Sequence, residues 1–388
     1  MAFEVLVKAG EHNRELCPVS LAIESEKLGN EWKGIEACTV EANDTKAKTA
    51  GQCEIFEDGK TVRISWILDS LKAGSQNKYT LIPEHSGASV VKLSHTDGNL
   101  IDIFINDEKF SSYHYSKDLL KPYLFPIMGP FGHTVTRGDE SPAGHNHDHI
   151  HHKSLWVSYG EVNGADFWSE GDQAGRQVHK EFNKILEGQV FSEIHATNEW
   201  ITRDGKRKMV EESRNMRFYN LPKSQRIIDM NLTFFASDGD VFFGDTKEAG
   251  LVSVRVYPTL TVSPPGTGKI ENAIGGINEN ETWGKMAQWC DYSGMIDGNK
   301  VGIAIFDWHK NFRYPTYWHV RNYGLMTANI FGTGTFEGDP GKDGSWILKA
   351  GEKLDLSYRV YVHVGDATDG HVGQKYHDYI NPPVISVV

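Results

Sequence analysis

Cysteine is scarce in this chain: Cys17, Cys38, Cys53 and Cys290 are four in 388 residues, with neither a CxxC pair nor another close metal-type spacing. They read as buried thiols that behave as small hydrophobes. A Cys38–Cys53 disulfide stays open for an exported protein, because the stretch between them reads as a hairpin whose ends meet. No apolar run approaches the roughly 20 residues needed to cross a bilayer, which excludes a membrane-spanning enzyme. Runs rich in Lys and Arg are absent too, and 40 basic against 52 acidic residues give a net charge of −12. Nucleic acid is therefore not an expected partner, and an acidic ligand would need its own local clamp. The opening MAFEVLVKAGEHNRE shows no charged start, apolar core or small-residue cleavage site of a secretory leader. The expectation is a soluble bacterial protein, with periplasm and cytoplasm both open and the oligomeric state unknown. No GxSxG elbow, phosphate-cradling glycine loop, HExxH helix or dinucleotide fingerprint occurs, so serine hydrolase, kinase and nicotinamide dehydrogenase readings have no support.

What the chain does have is strand rhythm from end to end. FEVLVKAG, KTVRISWIL, NKYTLIPE, SVVKLSHTDGNLIDIFIND and LDLSYRVYVHV alternate or cluster β-branched residues between Gly, Asp and Asn punctuation. The clearest hairpin runs from Gln189 to Tyr219 around Arg203-Asp204-Gly205-Lys206. A short helix is expected near Glu281 to Trp289, and no long segment shows a convincing 3.6-residue period. These patterns predict an all-β protein, a large antiparallel β-sandwich of the supersandwich type with a smaller N-terminal β region. The division is placed at residues 1–106 and 107–388, since everything chemically unusual follows Asp107.

Five of the 17 histidines fall within Gly144 to His152, GHNHDHIHH. In an extended strand His147, His149 and His151 would share one face about 7 Å apart, a spacing at which imidazoles can hold one metal ion. Asp148 and His152 would then face the other way. Two functional readings follow, a divalent or transition-metal site at His147, His149 and His151, or proton transfer by histidine near neutral pH. An exposed polar loop is the plain alternative. The next stretch, KSLWVSYGEVNGADFWSEG, adds a cation at Lys153, flat apolar faces at Trp156 and Trp168 and an amide at Asn163, a mixture that suits a sugar ring. Core tryptophans and an Asn163-Gly164 hairpin turn explain the same residues without a ligand.

A second cluster is WHVRNYG, Trp318 to Gly324, where alternation puts His319, Arg321 and Tyr323 on one face. His exchanges protons near neutral pH, Arg grips a carboxylate, and Tyr can protonate a leaving oxygen. Removing a proton beside a carboxylate and expelling a β-oxygen needs those three roles, and a uronic acid presents that arrangement. A structural ion pair for Arg321 is the competing reading. GDTKEAG at Gly244 to Gly250, Asp307-Trp308-His309, Arg313-Tyr314-Pro315 and Asn329 are further candidates to line the same region.

Taken in order, KPYLFPIMGPFGHTVTRG, DHIHHKSLWVSYGEVNGADFW, GDTKEAG and PTYWHVRNYGLMTANIFG resemble the family labelled "methane oxygenase PmoA", over roughly Tyr113 to Asp366. A membrane subunit would need spanning helices that this sequence lacks. The resemblance implies instead a large β-sandwich found beside bacterial carbohydrate-degrading systems. It carries over to Asp148, His149, His151, His152, Trp156, Asn163, Gly164 and Trp168, and to His319, Arg321, Tyr323, Gly324 and Asn329. Lys153 stands where Arg is as common.

The expected function is a lyase or dehydratase acting by β-elimination on oligosaccharides that contain a uronic acid. His319 or His152 takes the proton, Arg321 holds the carboxylate and Tyr323 assists the leaving oxygen. Lys153, Trp156, Asn163, Trp168 and Asn329 bind substrate. No cofactor is required by this scheme, with a divalent metal left open. The alternatives are a glycoside hydrolase or epimerase on neutral sugars, a metal oxidase built on the histidines, and a non-catalytic carbohydrate-binding protein.

Overall fold

A computed structural model describes residues 3–56, 59–84, 87–96, 98–138 and 148–388. The alternating segments form three large antiparallel sheets, one of seven strands and two of eight, with a further two-stranded ribbon. The fold is all-β and sandwich-like. The two eight-stranded sheets share one continuous apolar core. Into it one sheet sends Leu155, Val252, Trp318 and Val320, and the other sends Ile194, Met216, Ile303 and Val360.

The seven-stranded sheet takes its strands from residues 3–84 and, across the whole length of the chain, from Val384–Val387, which pairs with Phe3–Lys8. Val91–Thr96 and Leu100–Ile105, grouped with the N-terminal region in the sequence reading, pair instead within one of the eight-stranded sheets. Strand rhythm reveals that a segment is a strand but not which neighbour it pairs with, so the boundary between sheets falls earlier than the chemistry of the chain suggests. Arg14 and Gln52 tie the two regions together. Buried Arg14 donates to Asp378 Oδ1 at 3.0 Å, and Gln52 Oε1 accepts from the backbone N–H groups of Val190 and Phe191.

The hairpin around Gly205 forms between Phe191–Ile201 and Lys208–Tyr219. Among the described residues α-helix is confined to Asn278–Thr282, Thr333–Glu337 and Val372–Ile380. The first begins ahead of the expected Glu281 to Trp289 and overlaps it at Glu281 and Thr282, and the last is a helix that no sequence pattern predicts. All four cysteines are free and buried, Cys38 and Cys53 included.

Candidate functional site

The site lies at one edge of an eight-stranded sheet, where four consecutive neighbours run Tyr317–Arg321, Leu325–Asn329, Ala249–Arg255 and Leu155–Tyr159. In the edge strand Trp318 and Val320 are fully buried in the core, so His319 and Arg321 project from the opposite face. The turn to the next strand carries Tyr323, and Gly324 holds a backbone φ of +108 that a side chain rarely adopts. The loop before Ala249–Arg255 brings Lys247 and Glu248, and the segment after Leu155–Tyr159 brings Asp166 and Trp168. Gly160 is required here, because a Cβ would sit 2.2 Å from the Glu248 carbonyl. These elements enclose a cavity of about 590 Å³ lined also by His149, His151, Ser169 and Thr246.

The histidine segment does not continue as a strand. His152 N–H donates back to the His149 carbonyl at 2.9 Å, His149 has a left-handed φ of +49, and the chain turns through Ile150 and His151. Face alternation among His149, His151 and His152 is therefore absent, which corrects the extended geometry expected for them. Turn chemistry was the missed signal, since a chain of polar residues can satisfy its backbone locally. His145 and His147 lie outside the described residues. Among the described residues no group of three His, Cys, Asp or Glu side chains is arranged to hold a metal ion.

Asp148 is the hub of the turn. Its Oδ1 accepts from Arg137 Nη1 at 2.7 Å and Arg255 Nη2 at 2.9 Å, and its Oδ2 lies 2.8 Å from His149 Nδ1. Partial burial works against its charge, but the Arg137 hydrogen bond and the Arg255 charge prevail and hold its carboxyl down at about 2. Arg137 Nη2 also grips the carbonyls of Asp148 and His149. The imidazole of His149 stacks on Tyr323 with centroids 4.8 Å apart and planes 10° from parallel.

His152 is 4 % exposed and packs behind this layer, stacked between His149 and Trp156. Arg255 Nη1 points at its Nδ1 from 3.1 Å, and since a guanidinium only donates, Nδ1 accepts and Nε2 carries the hydrogen. Burial, and after it the closeness of His151, Arg255 and His149, push its pKa well below the ordinary value. His152 thus stands as a fixed neutral ring behind the cavity wall rather than as a base within it.

His319 is oriented oppositely. Its Nδ1 donates to the Lys247 carbonyl at 2.7 Å, leaving the lone pair on Nε2, and burial, together with the charges of Arg321 and Lys247, lowers its pKa to about 3. His151 is likewise held neutral by burial and by Lys121, at about 4. Arg321 Nε lies 2.9 Å from Glu279 Oε1 but out of line for a hydrogen bond, so the contact is a charge pair. Burial raises the Tyr323 phenol to about 12 against the opposing charges of Arg321 and Arg255, so its proton is retained at neutral pH.

The expected substrate-binding residues divide. Trp168 lines the cavity, although it is only 2 % exposed. Trp156 is wholly buried in the small cluster of Tyr123, Trp168 and Leu325, because its strand is covered on both faces. Lys153 Nζ is 3.5 Å from Glu170 Oε2. Asn163 sits in a turn with φ of +52, accepting from Phe242 N–H at 2.8 Å, and so braces a loop away from the cavity. Asn329 is fully buried and donates to the Thr246 carbonyl at 2.7 Å, fixing the loop that carries Lys247. Asp245 caps Thr333–Glu337 by accepting from Gly334 and Thr335, while Arg313 binds backbone carbonyls of Ile330, Gly344 and Ser345. Both serve loop structure.

Sequence reading passed over Arg137, Arg255, Glu279 and Lys121. Each is a single charged residue inside a strand, a loop or, for Glu279, the short helix Asn278–Thr282, and nothing in the local pattern marks it; only the fold brings the four to the site. Lys121 is 2 % exposed, donates to the Trp168 carbonyl at 2.6 Å and lies 3.7 Å from Glu170 Oε1. Burial lowers its pKa to about 8 in spite of Glu170.

No curated protein matches this sequence. Among solved structures, a glycosyl hydrolase family 38 protein from Enterococcus faecalis is 11% identical with a TM-score of 0.44, covering 100% of this chain and 47% of its own length. An alpha-mannosidase from Enterococcus faecalis is 10% identical with a TM-score of 0.43, covering 100% of this chain and 46% of its own. A GalM/aldose epimerase homologue from C. elegans is 10% identical with a TM-score of 0.29, over 72% of this chain and 100% of its own. The chain spans about half the length of the first two, and likenesses of this grade bear on neither substrate nor reaction. The family model that matches covers residues 101–377, and the description it carries is not the methane-oxygenase label. This chain therefore belongs to DUF6807, a family of unknown function.

Proposed function

We propose that this protein is a carbohydrate-active enzyme that acts on oligosaccharides containing a uronic acid and breaks a C–O bond by β-elimination, as a lyase or dehydratase. One observation supports the reading above others: a single cavity gathers Arg321, a Tyr323 that keeps its proton, and neutral imidazoles. Elimination beside a carboxylate needs a cation to stabilise the enolate, a base for the α-proton and an acid for the leaving oxygen. Arg321, with Lys247 at the cavity rim, faces the carboxylate. An imidazole that presents a lone pair takes the proton, and Tyr323 supplies one to the departing oxygen. The cavity is of the size that receives small ligands.

The hydrolase alternative has less support. Glycoside hydrolysis commonly uses two carboxyl groups flanking the bond. Among the described residues two acids line the cavity, and Asp166 is engaged in its own turn, accepting from Trp168 N–H at 2.7 Å, Ser169 N–H at 3.1 Å and the Ser169 hydroxyl. Only Glu248 remains for chemistry.

The test is incubation with a panel of uronate-containing and neutral oligosaccharides, following ultraviolet absorbance of a conjugated unsaturated uronate together with product mass. A new chromophore in products of unchanged total mass supports chain cleavage by elimination, and loss of one water supports dehydration. Products that gain water with no chromophore would sink the reading.

A further inference from the structure

We propose that His149, oriented by Asp148, is the base of this elimination, and that it acts from the same side of the sugar ring as Tyr323. The inference rests on the elimination reading and names both the base and the substrate stereochemistry.

Two imidazoles of the cavity have Nδ1 engaged and Nε2 left with its lone pair, His319 through the Lys247 carbonyl and His149 through Asp148. Their partners differ in kind. A carbonyl is a neutral acceptor, whereas the Asp148 carboxylate is ionised, accepts only, and stabilises the imidazolium that forms when His149 gains a proton. The carboxylate is itself immobilised: two guanidinium groups hold its other oxygen, and Arg137 grips the carbonyls on either side of the His149 N–Cα–C unit. His149 is kept in a left-handed conformation that is uncommon for this residue and that such a grip can sustain. Its side chain is 40% exposed at the cavity, so substrate can reach it. His319, 2 % exposed, is far more enclosed.

The stereochemical part follows from the stack. The His149 and Tyr323 rings lie face to face at 4.8 Å, so base and acid reach the substrate from one side. Groups that flanked the ring from opposite faces could not stack on each other. His149 Nε2 takes the hydrogen on the carbon beside the carboxylate, and the C–H pair becomes the new double bond. The C–O bond then breaks with its pair on oxygen, which receives the Tyr323 proton; solvent exchange returns His149 and Tyr323 to their starting forms. The substrate class is a uronate whose departing oxygen and adjacent ring hydrogen share a face, the gluco-configured arrangement rather than the galacto-configured one.

The experiment compares the full chain with His149→Gln, His149→Ala and Asp148→Asn on gluco- and galacto-configured uronate oligosaccharides, each variant checked for an unchanged melting curve. Expected are chromophore formation from the gluco-configured substrate only, a loss of about a hundredfold or more in kcat for both His149 variants, and partial rescue of His149→Ala by added imidazole. His149→Gln keeps an N–H toward Asp148 without a basic nitrogen, so its inactivity separates chemistry from structure. Asp148→Asn is expected to lower kcat more than it raises KM, with Asp148→Glu recovering part. Full turnover by His149→Gln overturns the base assignment alone, preference for the galacto-configured substrate overturns the one-face geometry, and parent protein that forms no chromophore from any uronate overturns the elimination reading itself.

Discussion

Tyr323 lies between cations and an imidazole: the Arg255 guanidinium carbon is 4.7 Å from its ring centroid, that of Arg321 is 5.6 Å away, and His149 is stacked on it at 4.8 Å. The ring packs, while the hydroxyl makes no hydrogen bond with any described residue. Tyr323→Phe should therefore keep the stack and the melting temperature and lose the proton donor. A fall in kcat of about a hundredfold or more is expected, the usual contribution of a positioned general acid. Turnover of the oligosaccharide panel by the variant measures it, and undiminished activity of Tyr323→Phe would remove Tyr323 from the chemistry.

Asn329 shows how a residue outside the cavity can govern it. Its side chain is fully buried; its amide donates to the partly buried Thr246 carbonyl, and its carbonyl accepts from the buried Phe331 N–H at 3.0 Å. Asn329→Leu fills similar space but leaves the buried Phe331 N–H unpaired, at about 1–3 kcal/mol for such a group, and releases the Thr246 carbonyl. Denaturant midpoints should fall accordingly, and KM should rise because the loop bearing Lys247 loosens. Asn329→Asp retains the acceptor for Phe331 but sets a carboxylate against a carbonyl, so it should not recover KM.

The contrast between the two clusters shows what was legible beforehand. WHVRNYG has strand alternation, and alternation alone separates Trp318 and Val320 in the core from His319 and Arg321 at the cavity. GHNHDHIHH has the same alternating look but a single apolar residue, Ile150, too little to pin a face, and over its described part, Asp148 to His152, local hydrogen bonding makes a turn. The strand-rich character and the sandwich class were readable from periodicity. Sheet membership was not, because Val384–Val387 pairs with strand Phe3–Lys8 at the far end of the sequence. The charges that secure the site, Arg137, Arg255 and Lys121, were unreadable for the same reason: each acquires its partner only through the tertiary fold.

Lys121 carries a stability prediction. Its ammonium is buried between the carbonyls of Trp168 and His151 and close to Glu170, which Lys153 also approaches. Lys121→Met keeps the stem but removes every donor, leaving the Trp168 carbonyl unsatisfied and Glu170 short of one cation. Breaking a buried ionic contact from one side costs about 3–5 kcal/mol. The double variant Lys121→Met with Glu170→Gln should be less unstable than the sum of the two single changes, as measured by urea denaturation. Strict additivity would mean that the two side chains do not interact.

His319 makes stability depend on pH in a direction its tautomer dictates. Folded, its pKa is lowered from 6.5 to about 3, chiefly by burial. Unfolded, it titrates near its ordinary value, so between those limits the unfolded chain binds more protons than the folded one. Stability from this group is present above about pH 6.5 and declines as pH falls toward about 3. Over the first 1.5 pH units, from about 6.5 to about 5, the loss comes to about 2 kcal/mol. His319→Gln can still donate an N–H to the Lys247 carbonyl but has no proton to gain, so its unfolding free energy should fall by about 2 kcal/mol less than the parent's across that interval. Denaturant titrations at the two pH values measure the difference, and the same pH dependence in variant and parent would show that folding does not lower the pKa of His319.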